Sequence, residues 1–306
     1  MLYKYYSSLP ENYLFNPTLK LAIPSKLNDP FENIVPNRVR IKHIEEMLKI
    51  NNIEDNIFHD YIKIMNSLLI SGVSSSGIIS MSETPTDILM WSHYANSHAG
   101  LVIGYKRDVL SHLHNSYGID ACFFNTPQIV NYDNVRFQNI SNTSSLMDRN
   151  AIIKSLLTTK SDHWSYEKEH RFIIPLGCAS FCRPIDKIKA ETIRQFEILW
   201  RLKYIKEFTW FETRWSRAIE NSDENIDNYP FIFNEEAERF LVKNNFDAFI
   251  RINSASIDSV FFGAKFENDK KNKIKDVISK NPHLQHINMY ECSISPDNFE
   301  LDICKI

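Results

Sequence analysis

The sequence predicts an α+β fold, a mixed β-sheet core with inserted helices, and three observations predict it. Short apolar runs of strand length recur along the whole chain. Segments with apolar residues at three- and four-residue spacing fall among them, without the regular alternation of a doubly wound parallel sheet. Only 7 glycines occur in 306 residues, and neither G-x-x-x-x-G-K nor G-x-G-x-x-G is present, which removes the phosphate-loop and dinucleotide-fold classes.

The elements follow in chain order. Tyr3, Lys4, Tyr5 and Tyr6 suit a first strand with alternating faces. A short strand from Leu19 ends at Pro24, and Asn28-Asp29-Pro30 then favours a turn. Apolar residues at Ile41, Ile44 and Leu48, then at Ile57, Tyr61, Ile64, Met65 and Leu68, predict one or two amphipathic helices broken near Asn51-Asn52, a helical insertion at about residues 39–70. Gly77–Glu83 is a short strand, Thr86–Gly100 holds one or two helical turns, and Leu101–Tyr105 and Pro127–Asn134 are further strands. Residues 141–158 read as loop then helix. Strand-like runs return at Arg171–Ile174, Ile257–Phe262, Ile287–Cys292 and Leu301–Ile303. Phe196, Trp200, Tyr204 and Phe208 step by four, followed by Phe211 and Trp215, and predict a second helical insertion at about 191–245. All of this is expected to form one domain over residues 1–306.

Bulk composition narrows the partners. A formal net charge of −3 gives no global basic footprint for nucleic acid, so any such contact needs a local patch. No run of about 18 apolar residues occurs, so no membrane-spanning helix and no membrane partner is expected. The opening MLYKYYSSLPENY lacks the basic start and long apolar stretch of a secretory signal. The 5 cysteines (Cys122, Cys178, Cys182, Cys292 and Cys304) form no C-x-x-C, and read as reduced thiols of a cytoplasmic protein.

Chemistry concentrates in a few stretches. In HWSYEKEHRFIIPLG (His163 to Gly177), Glu167 and Glu169 at i and i+2 of a strand would project from one face. Like charges that close raise at least one pKa unless cations compensate, and Lys168, His170 and Arg171 stand beside them. Paired carboxylates suit a sugar oxocarbenium transition state. The structural alternative is a solvated strand edge, at which replacing Glu169 would leave folding nearly unchanged. In MWSHYANSHAG, Trp91, His93, Tyr94, Asn96 and His98 crowd stacking and hydrogen-bonding groups together, as a base or nicotinamide pocket would, or as a buried aromatic cluster would. His93 and His98 stand five apart, the wrong spacing for two metal ligands on one helix face. Asn28 and Asp29 suit contact with a ribose or phosphate, or an Asx-turn. Arg201, Lys203, Lys206 and Arg214, set among the aromatics of 194–217, suit either a single-strand nucleic-acid platform or a buried helix face.

Taken in order, LYKY, PSKLNDPFE, SMSETPTDILMWSHYANSHAGLVIGY, TKSDHWSYEKEHRFI, IDSVFFGAKF and INMYECSISPDNFELD resemble a large bacterial family known only as a domain of unknown function. Its consensus runs Y-K-Y, F-N-D-P-F, M-W-S-H-Y-A and Y-E-K-E-W-R, and the resemblance extends from Leu2 to about Asp302. Leu27 stands where that family usually has Phe, and His170 where it usually has Trp. Its members resemble products found in anti-phage and toxin-like settings.

A fainter resemblance is to the ADP-ribosyltransferase superfamily, in the order of an aromatic/basic first strand, a serine-bearing central strand and a late Glu-x-Glu strand. It implies Glu169 as the catalytic glutamate and Glu167 as the one that orients or deprotonates the acceptor. Tyr3, Lys4 and Tyr5 take the first motif, without its usual His or Arg. Ser80 and Ser82 take the second, without its threonine. The implied co-substrate is NAD, with no metal, and the implied contacts are Tyr3, Lys4, Tyr5, Asn28, Asp29, Ser82, Trp91, His93, Tyr94 and Arg171, all converging on one cleft. The implied acceptor is a macromolecule, nucleic acid favoured over protein, and the implied setting is a toxin or defence effector with an antitoxin protein as partner. The competing class is a non-catalytic nucleotide-sensing or partner-binding module using the same pocket. A metal-dependent nuclease ranks last, for want of a convincing carboxylate/histidine cluster.

Overall fold

The computed structural model describes residues 1–10, 12–32, 34–51, 58–113, 122–136, 149–184, 243 and 246–306, and these form a mixed α+β architecture. In chain order the elements are β1 (Leu2–Tyr6), β2 (Thr18–Leu21), α1 (Asn37–Asn51), α2 (Phe58–Ser74), β3 (Ser76–Ser82), α3 (Ile88–Tyr94) and β4 (Leu101–Tyr105). Then come β5 (Phe124–Ile129), β6 (Asn131–Tyr132), α4 (Arg149–Leu157), β7 (Thr159–Lys160), β8 (Glu169–Pro175) and β9 (Phe181–Pro184). The last are β10 (Phe246–Arg251), β11 (Ile257–Phe262), α5 (Asn268–Lys280), β12 (Asn288–Ile294) and β13 (Leu301–Lys305). The aromatic helix expected within 191–245 falls, Lys243 apart, outside the described residues. Among the described residues no helix is long and apolar enough to cross a membrane.

Among the described residues the main sheet has 8 strands in the order β13-β12-β11-β4-β1-β3-β8-β5. It is antiparallel except where β11 meets β12, and α5 makes that crossover. A 3-stranded sheet, β2-β10-β9, packs beneath it. Period-2 alternation sorts the side chains between faces. Leu2, Ile79, Ile103, Phe172, Ile174, Val260 and Phe262 point to one face and form the large core with Leu19, Leu21, Phe246 and Ile250 of the second sheet. The opposite face carries two separate apolar patches. Ile78 and Ile173 pack under Leu69 and Val73 of α2 and Ile152, Ile153 and Leu156 of α4. Tyr5, Val102 and Phe261 pack under Met90 and Trp91 of α3.

Between those patches the same face turns polar. The register pairs Ser82 with Glu169, Ser80 with Arg171 and Ile78 with Ile173, so serines and charges occupy the gap. The expected strand at Pro127–Asn134 is in fact two. Ile129 still pairs with His170, and the Val130 amide donates to the Glu169 carbonyl at 3.0 Å. There β8 begins, so the chain has no further partner in that direction, and β6 pairs with β7 instead.

One interruption of the sheet positions the site. β1 pairs with β4 through five residues but with β3 only through Tyr3 and Ser82. Further along the same edge of β3, Ile78 pairs instead with Ala22, just beyond β2, with both amide bonds at 2.8 Å. The edge of β3 is thus shared by two diverging segments. At the fork between them the Ser80 carbonyl is met by the Lys4 ammonium, which donates to it at 2.9 Å.

Candidate functional site

A cavity of about 200 Å³ lies in this fork. β1 contributes Tyr3, Lys4 and Tyr5, β3 contributes Ile78, Ser80 and Ser82, and the turn after β2 contributes Lys26 and Asn28. Tyr94 of α3 closes another side, and Glu32, Lys160, Glu167, Glu169 and Arg171 form a charged wall.

That wall is not built as strand alternation predicts. Glu167 is the last residue of a 3₁₀ turn, Asp162–Glu167, and only Glu169 belongs to β8. Lys168 between them is left-handed, φ 43° and ψ 52°, and this residue reverses the chain so that both carboxylates reach one cation. The cation is Lys160, whose Nζ lies 2.7 Å from Glu167 Oε2, 3.4 Å from Glu169 Oε2 and 3.6 Å from Glu32 Oε1. Arg171 grips Glu169 with two parallel bonds, Nε to Oε1 at 2.8 Å and Nη2 to Oε2 at 2.9 Å. Its Nη1 donates to the Leu157 carbonyl at 2.7 Å and forms an ion pair with Glu32 at 2.9 Å.

The compensating charges therefore differ from those expected. Lys168 is exposed, and His170 is turned to the other face, where its Nε2 meets Glu83 Oε1 at 2.6 Å. Lys160, seven residues before Glu167 and inside the TKSDHWSYEKEHRFI string, is a lone lysine after a helix, and no spacing rule marks it as the partner of the two glutamates. Glu32 and Lys26 lie inside the PSKLNDPFE string, where sequence reasoning singles out only Asn28 and Asp29. The solvated-edge alternative is overturned as well: β8 lies between β3 and β5, and Glu167 and Glu169 are each only 4% exposed. With it goes the expectation that replacing Glu169 leaves folding nearly unchanged, because a buried, doubly gripped carboxylate anchors its surroundings.

The two glutamates sit in different electrostatic states. Burial pushes the Glu169 carboxyl up, but Arg171 and then Lys160 outweigh it, with help from the Ser80 hydroxyl, and hold it down at about 2. Burial also pushes Glu167 up, and here it wins. Lys160 opposes it, Glu169's charge adds to it, and the net shift is upward. Tyr94 OH donates to Glu167 Oε1 at 2.6 Å and accepts from Asn28 Nδ2 at 3.1 Å. Ser82 Oγ donates to the Glu167 carbonyl at 2.7 Å, and Tyr132 OH accepts the Glu169 amide at 2.7 Å. Lys160 is raised: burial works against its charge, but the three carboxylates prevail. Lys4 is lowered to about 8, chiefly by burial. The site thus offers one fixed anion, one carboxyl whose pKa is raised, and a buried cation within the fork.

Of the catalytic and contact residues that the ADP-ribosyltransferase resemblance implied, Tyr3, Lys4, Tyr5, Asn28, Ser82, Tyr94, Glu167, Glu169 and Arg171 meet at this cavity. Three do not. Trp91 is fully buried beside the site, edge-on to Tyr5 at 5.5 Å, with its Nε1 donating to the Pro85 carbonyl. Asp29 forms an Asx-turn, its Oδ1 accepting the Phe31 amide at 2.9 Å. His93 points outward from α3, exposed.

No curated protein and no solved structure matches the chain. A family match exists across the part of the chain that holds Tyr94, Lys160, Glu167, Glu169 and Arg171, the core of the charged wall. Over residues 90–172 the chain is similar to the family described as "Protein of unknown function (DUF2971)".

Proposed function

We propose that the fork cavity binds NAD and transfers its ADP-ribose to a macromolecular acceptor, on an ADP-ribosyltransferase-like sheet. One observation carries this reading. The three strands that the resemblance calls first, second and third motif are neighbours in the sheet, β1-β3-β8, and Tyr3, Ser82 and Glu169 form a single cross-strand row at the cavity. Three segments that far apart in sequence have no local reason to align.

The chemistry follows from the two carboxyl states. The bond between nicotinamide and ribose breaks, nicotinamide leaves with the electron pair, and positive charge develops on the ribose ring. Glu169, held ionised by Arg171 and Lys160, stabilises that charge in a site shielded from water. Glu167 takes the proton of the acceptor's O–H or N–H as the new glycosidic bond forms. Lys4 and Lys26 supply positive charge for the phosphates. The cavity is smaller than the roughly 300–1,000 Å³ usual for a drug-sized ligand, so it takes the nicotinamide-ribose end and leaves the adenosine outside. Action as a toxin or anti-phage effector in the cytoplasm, restrained by an antitoxin protein, rests on the family resemblance.

A second reading has its own support. Both oxygens of Glu169 are already engaged by Arg171, which suits a rigid nucleotide-binding wall of a sensing module as well as a catalyst. The separating experiment is incubation with NAD and cell lysate. Release of nicotinamide, with label retained on a macromolecule, supports transfer. Calorimetric NAD binding without release supports the sensor. Absence of both sinks the NAD site altogether.

A further inference from the structure

The charged wall holds more carboxylate than cation. Glu32, Glu167 and Glu169 face Lys160 and Arg171 there, and all five side chains are buried. Lys160 is shared by all three carboxylates, at 2.7 Å from Glu167, 3.4 Å from Glu169 and 3.6 Å from Glu32. Its Nζ also lies 4.6 Å from the centroid of the Trp164 ring. Lys4 of β1 donates to the Ser80 carbonyl instead.

Glu32 is held differently from the other two. Glu167 accepts aligned bonds from Tyr94 at 2.6 Å and Lys160 at 2.7 Å, and Glu169 accepts the paired bonds of Arg171. Glu32 Oε2 lies 2.9 Å from Arg171 Nη1, but no N–H is aligned on it, and that nitrogen donates to the Leu157 carbonyl. The backbone around Glu32 is fixed from both sides. Its amide donates to the Asp29 carbonyl at 3.3 Å, within the turn that the Asp29 carboxylate closes on the Phe31 amide. From beyond β6, Arg136 Nη2 donates to the Phe31 carbonyl at 2.6 Å and to the Ile34 carbonyl. The Phe31 and Ile34 side chains are exposed, so burial of these neighbours does not hold the turn in place. A buried acceptor without an aligned bond costs stability, and what it supplies here is charge.

We propose that Glu32 is a positioning residue: its negative charge occupies Lys160 and Arg171 and leaves Glu167 short of counter-charge, the carboxyl of the wall that most readily holds a proton. The groups that face Glu167 are Lys160 of β7, Tyr94 of α3, Glu169 and Arg171 of β8, Tyr132 of β6, and Tyr166 before it in the 3₁₀ turn. Lys4 and Asn28 line the same cavity. Burial raises the Glu167 carboxyl, Lys160 opposes that rise, and the Glu169 charge adds to it. Removing the Glu32 charge takes one like charge out of the wall and leaves Lys160 to the remaining two carboxylates. Both effects favour ionised Glu167. The proposal rests on the transferase reading only in naming the step served, removal of the acceptor's proton.

The test is carbon-13 NMR of the full chain, labelled at the glutamate carboxyl carbons and titrated without NAD. The Glu167 resonance is the one missing from Glu167→Gln. Glu32→Gln keeps the shape and removes the charge, and it should move the Glu167 midpoint down by about one pH unit. Glu32→Asp keeps the charge and should move it less. A purely structural Glu32 would lower the melting temperature in both variants and shift neither midpoint. A midpoint unmoved in Glu32→Gln, or lowered as far in Glu32→Asp, overturns the proposal. Should Glu32→Gln fail to fold, Arg136→Gln, which loosens the turn from outside, is titrated in its place. The same downward movement is expected there, and an unmoved midpoint again overturns the proposal. The titration contains no NAD, so its failure and the failure of the transferase reading are seen separately.

Discussion

Glu167 and Glu169 are the same residue type two positions apart, and their neighbours give them opposite behaviour. Glu169 loses its gripped charge in Glu169→Gln, so nicotinamide release should fall about a hundredfold, the scale of one electrostatic stabiliser, and thermal unfolding should show a loss of about 3 kcal/mol from the broken buried pair. Glu167→Gln keeps the Tyr94 contact but gives up the buried pair with Lys160, so it should cost less stability than Glu169→Gln and slow transfer to an acceptor more than simple NAD cleavage. The folded pKa of Glu169, about 2, lies below the ordinary 4.5. Its stabilisation is therefore present above pH 4.5 and is lost as pH falls toward 2, and Glu169→Gln should flatten that acid limb of a melting-temperature profile. Glu167 has the reverse sign: its raised pKa favours the protonated fold, and that contribution disappears as pH rises through it. Lys4, at about 8, gives a third limb. NAD affinity measured by calorimetry should weaken as pH rises past 8, and Lys4→Arg, whose charge persists, should remove that weakening.

At the scale of elements, two backbone positions hold the site in register. Lys168 sits in the left-handed region that favours glycine, so Lys168→Gly should keep stability within about 1 kcal/mol, whereas Lys168→Val should lose about 1–2 kcal/mol and misplace Glu167, seen as lost turnover. Gly104 lies opposite Tyr3 in β4, and a Cβ there would overlap Ser259 Oγ and approach the Tyr3 ring to 3.2 Å. Gly104→Ala should cost about 1–3 kcal/mol in denaturant unfolding, and Ser259→Ala in the same chain should recover most of it. The strands themselves are legible as apolar runs, because β3, β4, β8 and β11 are buried on both faces. The i, i+2 reading of Glu167 and Glu169 fails for a local reason: nothing in Glu-Lys-Glu announces a left-handed lysine. Lys160 escapes notice because its role comes from a three-dimensional meeting of four segments, none of which bears a recognisable spacing toward it.

For the whole molecule the decisive feature is β3, one edge of which serves two sheets. The cavity exists because β1 and the Ala22 segment diverge there, and a ligand that fills the fork should fasten them. Amide hydrogen exchange should accordingly slow on NAD binding in residues 3–5 and 78–82 more than in β4 or β11, and equal slowing everywhere would mean the ligand sits elsewhere. Topology of this sort is hidden in a sequence, since single-pair contacts such as Tyr3 with Ser82 leave no periodic trace. The burial of the charged wall has one more consequence. Counter-ions screen exposed charges beyond about 8 Å at physiological ionic strength but reach interior pairs poorly. Raising sodium chloride should therefore leave the Glu169–Arg171–Lys160 cluster and the cleavage step nearly untouched while loosening anything held at the exposed Lys106, Arg107 and Lys168. Ionic strength becomes a dial that separates bond breaking within the protein from capture at its surface.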